Sequence, residues 1–271
     1  MSAAVRGFLS NFAVNYTNLK QQIMYDHQGL SNAFFLMLYG AAAWFALLAC
    51  VYLLWRCGNA FMQEDPPEER KTRRLGLRIR SSLLIRRWTA AFMLAIVGSH
   101  VWWYVIGVYW LADDRLVRNI VCITLDRLTF VPLMMCLLLR MLQDQRRPLW
   151  PVWMAMAPMA ILAVISIAMR NDEFEQTVVI YMATVTVVFL VYYVLAVRKY
   201  GRWLCDNFAD LENKELWQSL LLLAFILFVH VAYSINGGAL MTEYLAQVNT
   251  LVIIAFLLWR VETLQELNEE E

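Results

Sequence analysis

Seven runs of about 20 mostly apolar residues constrain this chain more than any other feature. They cover about residues 33–55, 88–111, 120–139, 150–169, 177–197, 217–235 and 241–259. As an α-helix, a run of that length crosses the roughly 30 Å hydrocarbon core of a bilayer. Hydrocarbon offers no water to backbone polar groups, so each crossing segment must satisfy its own. The expected fold class is therefore all-α: an integral membrane bundle of seven transmembrane helices within residues 33–259. The fifth run is rich in Val and Thr, which in water favour strands, but its continuous apolar length decides for a helix. Pro151 suits a helix start, whereas Pro132 and Pro158 should kink the third and fourth spans. Residues 1–32 are mixed and lack the apolar stretch of a cleavable leader. Val5, Phe8, Leu9 and Phe12 fall at helical spacing, which suits an interfacial helix in this extracytoplasmic N-terminal segment or a frayed terminus.

Orientation follows from the basic residues. Seventeen of the 23 Lys and Arg flank one side of the spans, nine of them between the first and second. Five lie on the other side and Arg127 lies within a span. The positive-inside rule then places the N-terminus outside and the C-terminus in the cytoplasm. The basic run following Glu64-Asp-Pro-Pro-Glu-Glu either fixes topology or lies on an anionic inner leaflet. A net charge of +1 gives no support to bulk nucleic-acid binding.

The chemistry of an enzyme is not expected. The three histidines, His27, His100 and His230, are scattered, and no nucleophile elbow, phosphate loop or dinucleotide fingerprint occurs. The five cysteines form no CxxC or Cys/His ligand spacing, so neither metal nor cofactor is expected. Polar groups within spans carry the functional interest, because they are costly there. Asp126 and Arg127 lie in the third span, roughly 10 Å from its outer end. Neighbours on a helix point about 100° apart, so each needs a partner elsewhere. His100, Trp102 and Trp103 of the second span, His230 of the sixth, and Gln247 and Asn249 of the seventh fall at similar depth. These eight residues form either an outward pocket for a small molecule or lipid headgroup, or interhelical hydrogen-bond glue. No internal repeat favours a transporter of the inverted-repeat kind.

The wettest stretch among the later spans is Arg202–Ser219, RWLCDNFADLENKELWQS. Leu204, Phe208 and Leu211 follow helical spacing, and Asp206, Asn207 and Asp210 offer helix N-caps. Glu212 and Glu215 flank Lys214, and Trp217 leads into the sixth span. An amphipathic cytoplasmic helix is expected, as signalling surface or plain connector. After Trp259 no Gly or Pro stops the seventh helix, and Leu257, Val261 and Leu264 show the spacing of a coiled-coil seam. Residues 260–271, starting at Arg260, should form a cytoplasmic helical connector, with a homodimer through it.

The Arg202–Ser219 stretch, followed one helix later by LLWRVETLQEL, resembles the membrane sensor region of bacterial membrane-bound regulators with an AraC-type helix-turn-helix domain. The specific likeness covers about residues 198–267. It implies a multi-pass sensor in a bacterial inner membrane with a transcriptional output. Its signalling surface would comprise Arg202, Trp203, Asp206, Asn207, Asp210, Glu212, Lys214, Glu215, Trp217, Arg260, Val261 and Leu264. DNA would be reached only through an effector domain missing from these residues or carried by a separate protein. A small-solute transporter and a structural membrane subunit are the alternatives.

Overall fold

A computed structural model describes residues 36–55, 82–106, 114–143, 147–171, 174–207, 216–222 and 239–264, with residues 34, 224 and 225. Among these, all regular structure is helical and no strand occurs. The helices are α1 (Leu36–Trp55), α2 (Leu83–Tyr104), α3 (Arg115–Met141), α4 (Trp150–Met169), α5 (Glu175–Asn207), α6 (described over 217–222) and α7 (Ala239–Thr263). Five of them, α1, α3, α4, α5 and α7, are long and apolar enough to cross a membrane. Helix α2 is as long, but Arg86 and Arg87 near its start and Ser99 and His100 near its end dilute its apolar character. The interfacial helix expected in residues 1–32, most of the basic run after the first span, and the sixth span beyond residue 225 lie outside the described residues.

Successive helices pack antiparallel, α2 on α3, α3 on α4 and α4 on α5, and α7 returns to pack on α2. The fully buried side chains gather at one end of the bundle. Ala46, Cys50 and Leu53 of α1 meet Met93 of α2, Leu137 and Met141 of α3, Tyr200 and Leu204 of α5, and Leu257 and Val261 of α7. Elsewhere the outer faces are strongly apolar: Leu48 and Trp55 of α1, Ile161 and Val164 of α4, and Val187, Val188 and Val191 of α5 are exposed. Water would not tolerate so continuous an apolar surface, whereas lipid does. Trp55, Trp150, Trp217 and Trp259 stand exposed near the ends of four helices at the tightly packed end, as an interfacial aromatic belt does.

The element ends sharpen several expectations. Asp114 caps α3, its carboxylate accepting from the Val117 amide at 3.1 Å, so the third helix starts earlier than its apolar run. Asp126 therefore sits about 15 Å along the helix rather than near its outer end. Pro132 and Pro158 are carried inside unbroken α3 and α4. Helix α4 closes with Arg170 in the left-handed region, φ 49°. The Asn171 amide reaches back to the Ser166 carbonyl at 3.1 Å, which satisfies an orphan acceptor of the last turn.

The cytoplasmic amphipathic helix is corrected in one respect. Residues 202–207 do not start a separate element; they complete α5, which continues through Gly201. Asp206 and Asn207 thus stand at a helix C-terminus, not at an N-terminus. The Asn207 side-chain Nδ2 donates to the Trp203 carbonyl at 2.7 Å. Good helix formers and a buried stripe of Tyr193, Val197, Tyr200 and Leu204 favour continuation over a turn.

Candidate functional site

The spacing of Ser99, Trp102 and Trp103 puts all three on one face of α2, where that helix packs on α3. Asp126 of α3 stands opposite. Ser99 Oγ donates to Asp126 Oδ1 at 2.6 Å, Trp102 Nε1 to the same oxygen at 3.1 Å, and Trp103 Nε1 to Oδ2 at 2.7 Å. Three neutral donors thus converge on one carboxylate in the middle of an apolar bundle. A carboxylate there needs such donors, because burial without partners costs several kcal/mol.

Gly98 makes this arrangement possible. A Cβ at that position would come within 2.8 Å of the Trp102 ring, which lies back along the helix. A side chain there would push the indole off its path to Asp126.

His100 faces another way. Its Nδ1 lies 2.8 Å from the Ile96 carbonyl one turn earlier, and its Nε2 lies 3.3 Å from Gln247 Oε1 on α7. Tyr39 of α1 closes the group: its ring centroid is 4.1 Å from the imidazole, and its hydroxyl donates to the His100 carbonyl at 3.0 Å. Three helices, α1, α3 and α7, therefore meet around α2 at this level. The structure brings together His100, Trp102, Trp103, Asp126 and Gln247, five of the eight residues expected from sequence. Arg127 is on the same turn of α3 but not among the groups bonded to Asp126. Asn249 lies two residues past Gln247, with its side-chain oxygen buried and without a hydrogen-bond partner. His230 lies outside the described residues.

A second polar node lies at the other end of α2, and sequence reasoning missed it. Arg86 donates through a terminal nitrogen to Glu262 Oε1 of α7 at 2.8 Å, with both side chains 2% exposed. Its Nε donates to the Leu53 carbonyl at 3.3 Å, and its guanidinium lies 5.8 Å from the centre of the Tyr52 ring. The pair joins α1, α2 and α7. From sequence, Arg86 is one of the topology-setting cations and Glu262 part of the helical connector over residues 260–271. The available signal was position: both border apolar spans.

The expected signalling surface divides. Arg202, Asp206 and Asn207 are exposed on the end of α5, Trp203 is half-buried, and Trp217 is exposed at the start of α6. Arg260, Val261 and Leu264 are instead buried, at 1%, 0% and 1% exposure. The expected coiled-coil seam is already covered by this chain's own helices, because the last turn of α7 packs into the bundle rather than leaving it. Asp210, Glu212, Lys214 and Glu215 lie outside the described residues, as does the chain beyond Leu264.

Among the described residues no group of three or more His, Cys, Asp or Glu side chains is arranged to hold a metal ion. Compared with protein-family models, curated proteins and solved structures, the chain finds no match.

Proposed function

We propose that this protein is a membrane signalling module of seven spans, with an outer N-terminus and a cytoplasmic C-terminus, in the inner membrane of a bacterium. One observation carries the reading: α2 and α7 are tied at both ends, by His100–Gln247 and by Arg86–Glu262. Two antiparallel helices joined by polar contacts about 20 Å apart move as a pair. A cue that alters the first contact can therefore bias the second. Such a cue acts only if it favours one packing over the other. The Arg86 end belongs to the cytoplasmic side in this reading, because basic residues gather there. The output would be transcriptional, through an AraC-type effector, as the likeness over residues 198–267 suggests. A homodimer belongs to this reading, formed through faces other than Val261 and Leu264.

A transcriptional reporter domain fused after Glu271 tests this. Asp126→Asn and Gln247→Ala should each change reporter output several-fold at equal protein level. Unchanged output across both variants would overturn the signalling reading and favour a structural subunit. Solute flux in reconstituted vesicles would favour a transporter.

A further inference from the structure

We propose that His100 is a proton-operated clamp between α2 and α7. The inference rests on the signalling reading and names its cue. Both ring nitrogens face acceptors: the Ile96 carbonyl at 2.8 Å from Nδ1 and Gln247 Oε1 at 3.3 Å from Nε2. A neutral imidazole carries one N–H and one lone pair, so it can serve only one of two acceptors. With the proton assigned to Nδ1, toward the nearer Ile96 carbonyl, the Nε2 lone pair stands against the Gln247 oxygen. An imidazolium donates to both and closes the contact.

Groups on three helices face the ring. Asp126 of α3 lies within electrostatic reach of His100. Tyr39 of α1 presents its ring to the imidazole. Cys122 and Arg118, one and two turns before Asp126, and Arg127, next to it, are the further titratable or charged groups at this level of α3. On α7 the facing residue is the neutral Gln247; Glu243 stands one turn earlier on the same helix, and Tyr244 turns its ring to Phe34, just before α1. Histidine is the side chain whose charge ordinarily changes between pH 5 and 8. Acid should therefore tighten the α2–α7 contact at this end, and alkali should loosen it.

The test uses nitroxide labels on Val101→Cys and Val248→Cys, neighbours of the two clamp residues that are 54% and 46% exposed. Cys57 and Cys205 are replaced by Ser, and the full chain is held in lipid nanodiscs. Between pH 8 and pH 5 the label distance should narrow in distribution and shorten by about 1–2 Å, the scale of a helix shift. His100→Asn should abolish the response. A pH-independent distance would overturn the clamp. So would acid loosening, which would mean that Gln247 presents its amide nitrogen. A clamp that responds while the reporter output of Asp126→Asn and Gln247→Ala stays flat would uphold this inference and overturn the signalling reading alone.

Discussion

At the residue scale, Gly98 and Asp126 depend on one another through Trp102. Gly98→Ala should destabilise the protein by about 1–3 kcal/mol, the usual cost of overpacking. In a Trp102→Leu background the same substitution should cost little, because the ring it strikes is gone. Denaturant unfolding in detergent, run as a double-mutant cycle, measures the difference. Asp126→Ala should be worse than Asp126→Asn, since alanine leaves three buried donors without an acceptor and asparagine keeps one. That Asp126, His100 and the two tryptophans lie within apolar segments was legible in the sequence, because polar groups inside apolar runs stand out. Their partners were not. Ser99 and Gly98 look like ordinary small span residues until the α2–α3 packing fixes which face they share. Arg86 and Glu262 stayed hidden for a different reason: charges that border a span satisfy the topology rule whether or not they later pair inside the bundle.

At the element scale, α2 behaves as the hub of the described helices, holding α1, α3 and α7 through side-chain contacts at two levels. Removing one partner of a buried ion pair leaves the other charge stranded, at about 3–5 kcal/mol. Glu262→Ala should therefore unfold the bundle far more readily than its place near the chain's end suggests. The paired change Arg86→Met with Glu262→Leu should recover much of that loss, as read by thermal unfolding of detergent-solubilised protein. Helix α5 makes a separate prediction. It has 33 residues, about 50 Å, so it overshoots a roughly 30 Å hydrocarbon core. Cys205 near its end is exposed, whereas Cys50, Cys122 and Cys136 are buried. A membrane-impermeant maleimide should modify Cys205 in inside-out vesicles and leave it untouched in right-side-out ones; the opposite pattern would invert the orientation. That α1, α3, α4, α5 and α7 are long and apolar enough to span was plain from hydropathy. The ends were not, because the continuation of α5 past residue 197 and the burial of the last turn of α7 come from tertiary packing that local polarity does not report.

At the scale of the whole molecule, packing is unequal along the membrane normal. The Arg86 end holds most of the buried core, while the Asp126 level is joined largely by polar contacts among a few helices. Cooperative stability concentrates where apolar burial does, so the two ends should open with different free energies. Amide hydrogen exchange should be slowest around Met93, Leu137 and Leu257 and faster around Ser99 and Gln247. Uniform protection would contradict that gradient. The pairing of Arg86 with Glu262 also has a consequence for biosynthesis. The two residues are 176 positions apart, which at ordinary translation speeds means about 10–35 s between their emergence. Throughout that interval the least apolar of the described long helices must sit at the membrane with its arginine still waiting for the last one. Nascent chains stopped before Glu262 should therefore be poor at retaining α2 in the bilayer and good substrates for membrane proteases. Helix α7 would thus act as an assembly checkpoint, licensing α2 long after it was made.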